Sequence, residues 1–177
     1  MGYFMDKGPK TVSKKPRVVK YLMKMVYPFA FFDVAACSNT SGCRGIIFLE
    51  QQHFYNLYCI CGSWSNTKAE LTTLWGAFSF AKLLGLENLQ VYGDSRVVVE
   101  WTNGNYNLDI AILGLWKQRV RHLLNSFNDI RIGNIYTELD GKADALSKKG
   151  LVAQLGSIYV AEYGVGSLMF FGLFLIC

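Results

Sequence analysis

The sequence is poor in the residues that hold zinc. It contains two histidines, His53 and His122, and no Cys-x-x-Cys pair. Structural zinc sites combine such pairs with further cysteines or histidines at defined spacings, so the spacing here argues against zinc. We instead expect reduced, buried thiols in an intracellular protein of the cytoplasm or nucleus. The cysteines are Cys37, Cys43, Cys59, Cys61 and Cys177.

The sequence also lacks a long apolar run. A membrane-spanning helix needs about 20 apolar residues, whereas the most apolar segment, residues 165–177, has 13. Glu162 is the only charged residue in 151–177, and Gly164-Val165-Gly166 separates two β-prone runs at 157–161 and 168–176. We therefore predict that the extension 152–177 forms a β-hairpin, and we treat tail anchoring in a membrane as the weaker alternative.

Positive charge is concentrated at the N-terminus. Residues 1–28 contain seven Lys and Arg residues against the single acid Asp6, whereas the rest of the chain is near neutral. This composition predicts a basic arm or linker before a folded domain at 29–151. Such an arm suits a phosphate backbone, and a solvated leader explains it equally well.

The order of predicted elements indicates an α/β domain. Three strands form an antiparallel meander, after which strands and helices alternate, giving βββαβααβα. We therefore predict a mixed five-stranded sheet flanked by helices. The predicted strands are 29–37, 45–50, 57–62, 89–93 and 130–137, and the predicted helices are 67–84, 95–103, 109–125 and 140–150.

Four carboxylates stand where an unpaired acid is costly. Asp33 interrupts an apolar strand, Glu70 lies near the start of a helix, Asp94 directly follows a strand, and Asp144 lies within the last helix. Four acids at the ends of alternating elements predict a site for a divalent metal. Magnesium is the metal expected, because it prefers carboxylate and water oxygens.

Each acid also has an ordinary structural explanation. Glu70 follows Thr67 at the spacing of a capping box, and Asp94 stands where helices often have a capping residue. The acid in the last helix suits the helix dipole, and the one in the first strand could bond a neighbouring loop. These explanations leave open why small residues, such as Ala69 and Gly93, adjoin the acids and permit close approach.

Four segments resemble the ribonuclease H family, in its order. More closely, they are similar to plant reverse-transcriptase-like domains related to non-LTR retrotransposons. The segments are Phe-Phe-Asp-Val-Ala-Ala-Cys-Ser-Asn from Phe31, Thr-Lys-Ala-Glu-Leu from Thr67, Leu-Gln-Val-Tyr-Gly-Asp-Ser from Leu89, and Asn-Ile-Tyr-Thr-Glu-Leu-Asp-Gly-Lys-Ala-Asp from Asn134. The resemblance covers about residues 29–151 and implies a ribonuclease H-like fold.

The resemblance implies Mg²⁺-dependent endonucleolytic hydrolysis of the RNA strand of RNA–DNA hybrids by a monomer with no small-molecule cofactor. Two Mg²⁺ ions, replaceable by Mn²⁺, would assist the reaction. The catalytic and metal-binding acids would be Asp33, Glu70, Asp94 and Asp144. The residues implied to contact the nucleic acid, partly by reading its 2′-hydroxyl groups, are Ser38, Asn39, Thr40, Ser41 and Ser95.

Three positions depart from the family pattern. Val34 replaces the glycine that usually follows the first acid, Thr137 replaces a basic residue, and Asn134 replaces a histidine associated with water handling or product release. Asn134 remains a candidate accessory residue. The departures at Asn134 and Thr137, together with the apolar C-terminal extension, support an alternative function, a transposon-derived nucleic-acid-binding domain with weak or absent catalysis.

Deletion of residues 1–27 should weaken binding to an RNA–DNA hybrid and reduce its salt dependence. Each neutralised phosphate contributes about −0.9 to the slope of log affinity against log salt on a duplex. Binding titrations at several salt concentrations would measure that slope for both forms. An unchanged slope would show that the basic residues do not contact the nucleic acid.

Overall fold

The computed structural model describes residues 26–37, 40–135 and 155–176, and in these ranges the chain forms one sheet with three α-helices. A 3₁₀ turn at Ala111–Leu113 leads directly into the third helix. The strands are β1 Phe29–Cys37, β2 Thr40–Glu50, β3 His53–Gly62, β4 Asn88–Gly93, β5 Asp129–Asn134, β6 Ser157–Gly164 and β7 Ser167–Ile176. The helices are α1 Asn66–Leu83, α2 Arg96–Thr102 and α3 Gly114–Leu124.

The predicted elements from residue 29 to residue 134 are all present in the predicted order. Strands β2 and β3 are longer than predicted, and α3 begins later because the 3₁₀ turn takes up the start of the predicted helix. The predicted helix at 140–150 and residues 1–25 of the predicted arm lie outside the described residues. None of the described helices is long and apolar enough to cross a membrane.

The sheet has seven strands in the order β5-β4-β1-β2-β3-β6-β7 within the described residues, so the predicted number of five was too low. The two extra strands form the hairpin predicted in the C-terminal extension, which pairs through β6 with the edge of β3. The sequence pattern indicated a hairpin but carried no information about its pairing partner. The α/β class and the mixed sheet are confirmed.

Strand direction places the carboxyl ends of three strands at one edge. Strand β4 pairs in parallel with both β1 and β5, whereas the other strand pairs are antiparallel. Ligand-binding residues often lie at this edge of α/β sheets. Phe32 of β1 pairs with Gly93 of β4, which in turn pairs with Asn134 of β5.

Helix α1 covers the centre of the sheet. Ser65 caps its start by accepting a hydrogen bond from the backbone N–H of Lys68, and Gly85, with φ of 74°, follows its end as predicted. Apolar side chains of α1 that are fully buried include Leu71, Leu74 and Phe78. They join a core that also contains buried residues of β1, β2, β3 and β4. The burial of these side chains holds α1 against the sheet, and it therefore also fixes the position of Glu70 near the start of the helix.

Position 93 must be glycine because the ring of Phe32 packs directly against its Cα atom. A Cβ atom at this position would lie 2.2 Å from Cζ of Phe32, which is fully buried and has no free space to move into. Overpacking of this kind costs about 1–3 kcal/mol. The close approach of β1 and β4 at this point therefore depends on glycine.

We expect Gly93→Ala to lower the free energy of unfolding by about 1–3 kcal/mol, because the added methyl group meets the Phe32 ring. Urea unfolding followed by circular dichroism would measure the change. Gly114→Ala is the matched control, since Gly114 has helical φ of −51° and a Cβ atom added there would meet nothing within 4 Å. This control should be neutral or stabilising by about 0.4–1 kcal/mol, and an equal loss in both variants would contradict the assignment.

Candidate active site

Asp33 and Asp94 are brought together by the parallel pairing of β1 and β4. Each is the residue that follows the paired Phe32 and Gly93, so the two acids lie side by side at the carboxyl end of this strand pair. Asp33 is half-buried and Asp94 is exposed. The two acids predicted from distant parts of the sequence are therefore neighbours.

Glu70 reaches the same region from α1. Its Oε2 accepts a hydrogen bond of 2.6 Å from Oγ of Ser95, the residue directly after Asp94. Ser95 Oγ also accepts from the backbone N–H of Val98 at 3.4 Å and so caps the start of α2. One hydroxyl group thus links α1, β4 and α2, and this structure gives Ser95 a role in positioning Glu70. Its predicted contact with nucleic acid stays a prediction.

The ordinary capping explanations of two acids are wrong. The residue that caps α1 is Ser65, so Glu70 lies one turn inside the helix rather than at the third position of a Thr67 capping box. The residue that caps α2 is Ser95, not Asp94. Both carboxylates are therefore available for another role.

Burial and mutual repulsion raise the pKa of two of these acids. The pKa of Glu70 is raised mainly by burial, then by the negative charges of Asp94, Asp33 and Cys43, against the lowering effect of its hydrogen bond from Ser95. The pKa of Asp94 is raised first by partial desolvation of its carboxylate, although the residue as a whole is exposed, and then by Asp33. In both acids the charge of neighbouring acids adds to the effect of desolvation, as in a site for a cation.

The donor set fits a hard divalent ion that keeps some of its water. Among the described residues, the one set of three metal-binding side chains whose ligand atoms all lie within 4.8 Å of one another consists of cysteines, so the three carboxylates are more widely spaced. Mg²⁺ commonly binds through one or two carboxylates, with waters and substrate phosphate oxygens completing its octahedron. The oxygen donors of the three acids suit that mode of binding.

Asn134 lies beside Asp94, at the end of β5. Its Nδ2 donates a hydrogen bond of 3.3 Å to the backbone carbonyl of Asp94. Its Oδ1 is buried and has no hydrogen-bond partner among the described residues. The predicted accessory residue is therefore next to the acids, although its amide cannot exchange a proton near neutral pH as histidine can.

Sequence reasoning missed Arg44 as a member of this region. Arg44 of β2 is the direct cross-strand partner of Asp33, and its Nη2 donates to Oδ1 of Asn56 at 3.2 Å. Its Nε is buried without a hydrogen-bond partner in the described part of the chain. Only the register of β1 against β2 reveals this neighbour, and the sequence alone does not give that register.

Several predicted site residues are not tested by the structure. Asp144, Ser38 and Asn39 lie outside the described residues. Thr40 and Ser41 lie in β2, but their side chains are outside the described set. Their predicted roles stay predictions.

A mixed sheet crossed by a helix, with one acid within β1 and its neighbour directly after β4, is typical of a domain of the ribonuclease H-like superfamily. Within that class the chain belongs to the Reverse transcriptase-like family, whose model matches residues 31–150. The matched segment includes all four predicted acids and agrees with the resemblance found in the sequence.

Known proteins of this class are similar over part of the chain. Ribonuclease HI of Halobacterium salinarum is 29% identical over 90 residues, which are 51% of this chain and 45% of that protein. The chain thus matches about half the length of this curated relative. The crystal structure of RNase H1 from Halobacterium salinarum NRC-1 has a TM-score of 0.55 and 23% identity, over 61% of this chain and 84% of that chain. The structure of LC11-RNase H1 in complex with RNA/DNA hybrid has a TM-score of 0.56 and 19% identity, over 62% and 86%. At these identities the two structures show a shared fold.

The raised pKa values predict that the metal-free protein loses stability as pH rises above the ordinary range of carboxylates, about 4. In the window between the ordinary and the raised pKa of Glu70 and Asp94, the folded state holds more protons than the unfolded state, so the free energy of unfolding falls with increasing pH. Asp94→Asn should make this fall shallower and should stabilise the metal-free protein at neutral pH.

Thermal unfolding in a chelator from pH 4 to pH 8 measures this effect. Asp109→Asn is the matched control, because Asp109 is exposed and its charge does not contribute to the raised pKa of Glu70 or of Asp94. If Asp94→Asn and Asp109→Asn change the pH profile equally, repulsion within the acid cluster is not its cause.

Proposed function

We propose that this protein hydrolyses the RNA strand of RNA–DNA hybrids in a reaction that depends on Mg²⁺. The observation that carries the proposal is the meeting of Asp33, Glu70 and Asp94 in one region of a ribonuclease H-like sheet, with the pKa of Glu70 and of Asp94 raised by desolvation and then by neighbouring acids. Asp144 is proposed as the fourth acid. The proposed metal complement is two Mg²⁺ ions, with Mn²⁺ as a substitute.

The acids of the chain would hold and orient the metal. When bound, Mg²⁺ supplies Lewis-acid stabilisation of the charge that develops on the phosphate oxygens. Asp33 and Asp94 offer carboxylates on a rigid strand pair, and Ser95 fixes one carboxylate oxygen of Glu70 through its 2.6 Å hydrogen bond. Fixed ligands of this kind lower the reorganisation needed during the reaction.

A cationic side chain near the acids, that of Arg44, would bind the phosphate backbone. Arg44 lies opposite Asp33 in the sheet and has a buried Nε without a partner among the described residues. A phosphate group is the ligand that suits such a cation beside an acidic metal site.

A nucleic-acid-binding domain with little catalysis is the second candidate, and Asn134 favours it. Its amide donates to the backbone of Asp94 and cannot act as an acid or base at neutral pH. In this interpretation the acids persist while proton transfer near them is lost. We also propose that the domain derives from a plant retrotransposon-type reverse transcriptase, which the match to the Reverse transcriptase-like family supports.

We expect the purified protein to cut the RNA strand of a hybrid slowly with Mg²⁺, and Asn134→His to cut it at least about tenfold faster, since positioned acid–base groups contribute about 10²–10⁴-fold. Asp33→Asn should abolish cleavage in both backgrounds, because no other side chain replaces a lost ligand. A single-turnover assay with labelled RNA measures these rates.

Asp129→Asn serves as the control for the loss of one acid, because Asp129 is exposed at the far end of β5 and pairs with Arg131. It should cut at the parental rate. If neither the parent nor Asn134→His cleaves a hybrid that both bind, with Mg²⁺ or Mn²⁺, the binding domain is the correct function.

A further inference from the structure

Three cysteines that are distant in sequence form one buried cluster beneath α1. Cys43 of β2 is the direct cross-strand partner of Cys59 of β3, and Cys61 lies two residues further along the same strand. Their Sγ atoms all lie within 4.8 Å of one another, and Sγ of Cys61 is 3.6 Å from that of Cys59. The exposed fractions of Cys43, Cys59 and Cys61 are 4%, 5% and 1%.

The surroundings of the cluster leave space for a bare ion. A cavity of about 10 Å³ borders Cys43 and Cys59 and is otherwise lined mainly by apolar or small residues of β2, β3, α1 and β6. Such a volume is at the lower limit for one water molecule, so a hydrated ion does not fit. An ion that enters must exchange its water for protein ligands, and the sulfur atoms of Cys43 and Cys59 border the cavity, together with the hydroxyl group of Thr73.

One of the three thiols, that of Cys43, also favours the thiolate form that binds metals. Hydrogen bonds from Cys59, from Cys61 and from Thr73 lower the pKa of Cys43, although burial opposes this effect. Cys43 can in turn donate to the backbone carbonyl of Ala69 in α1, at 3.4 Å. The cluster therefore has a network that holds one sulfur atom in place.

We propose that Cys43, Cys59 and Cys61 form a binding site for a single soft, thiophilic cation of the filled d-shell class, such as Cu⁺, Zn²⁺ or Cd²⁺. Thiolate sulfur selects these ions over Mg²⁺, which prefers oxygen. Sulfur atoms bound to a common ion at about 2.3 Å are themselves a little under 4 Å apart. The 3.6 Å between Sγ of Cys61 and Sγ of Cys59 is close to this value, and the other two distances lie within 4.8 Å. The site contains none of the acids and does not depend on the proposed function, although the charge of Cys43 contributes to the raised pKa of Glu70.

The three cysteines are brought together by the sheet and not by their spacing along the chain, which is unlike that of a zinc site. Cys59 and Cys61 are two residues apart on β3, so both side chains point to the same face of the sheet. The pairing of β2 with β3 adds Cys43, which lies 16 residues before Cys59 in the sequence. The resulting arrangement has no Cys-x-x-Cys signature. Sheet register, rather than a motif, creates this donor set.

Cd²⁺ is the probe that tests the site, since its bonds to sulfur absorb in the ultraviolet. Titration of the full reduced chain, without oxygen, should give a sulfur-to-cadmium absorption that saturates at one equivalent and should raise the melting temperature. Cys59→Ser should weaken Cd²⁺ binding by more than about 100-fold, because loss of an outer hydrogen-bond partner alone costs about 10–100-fold.

Cys177→Ser is the control, because it removes a thiol at the end of the chain and should keep the full absorption. Circular dichroism establishes that each variant is folded, and Cys43→Ser provides a second test if Cys59→Ser is not. An absence of the absorption in the parent would overturn the proposal without any variant. Equal absorption in the parent and in a folded Cys43→Ser or Cys59→Ser would overturn it as well.

Discussion

The close parallel pairing of β1 with β4 is the constraint on which the site depends. Phe32 fills the space beside Gly93 so completely that a side chain at that position has no room. The contact belongs to the apolar core, yet it determines the distance between the acids that follow on each strand, Asp33 and Asp94. A change in core packing at this point of the sheet would therefore also change the distance between the two acids.

The acids make the folded state less stable than it could be. Burial and neighbouring negative charge raise the pKa of Glu70 and of Asp94, which means that their ionised forms are disfavoured in the folded protein. Ser95 offsets part of this cost by donating to Glu70. Acids arranged to repel one another are typical of sites that bind a cation, since the bound charge removes the repulsion.

Much of the fold could be predicted because it follows local rules. Apolar periodicity predicts the bounds of β1 and the face of α1 that is buried against the sheet. The end of α1 is predicted by Gly85. Asp33 stood out because it interrupts an apolar strand, and Glu70 because it is an acid near the start of an amphipathic helix. These signals lie within short windows of sequence and do not require knowledge of which strands pair.

What could not be predicted depends on pairing across the sheet. The position of Arg44 opposite Asp33 and the meeting of Cys43 with Cys59 both result from strand register. A shift of one residue would turn each of these side chains to the other face. The pairing of the hairpin with β3 could not be predicted either, because an alternating apolar pattern predicts that a segment forms a strand but not which strand it pairs with.

The added hairpin changes which strand forms the edge of the sheet. With β6 on its flank, β3 becomes an internal strand, and β7 takes the edge position among the described strands. Strand β7 has no charged residue, and the side chains of Leu168, Met169 and Phe170 are more than half exposed. Natural sheets usually protect such edges with charge or proline. An edge without that protection favours pairing with a second chain at high concentration, at a place far along the sheet from the acids.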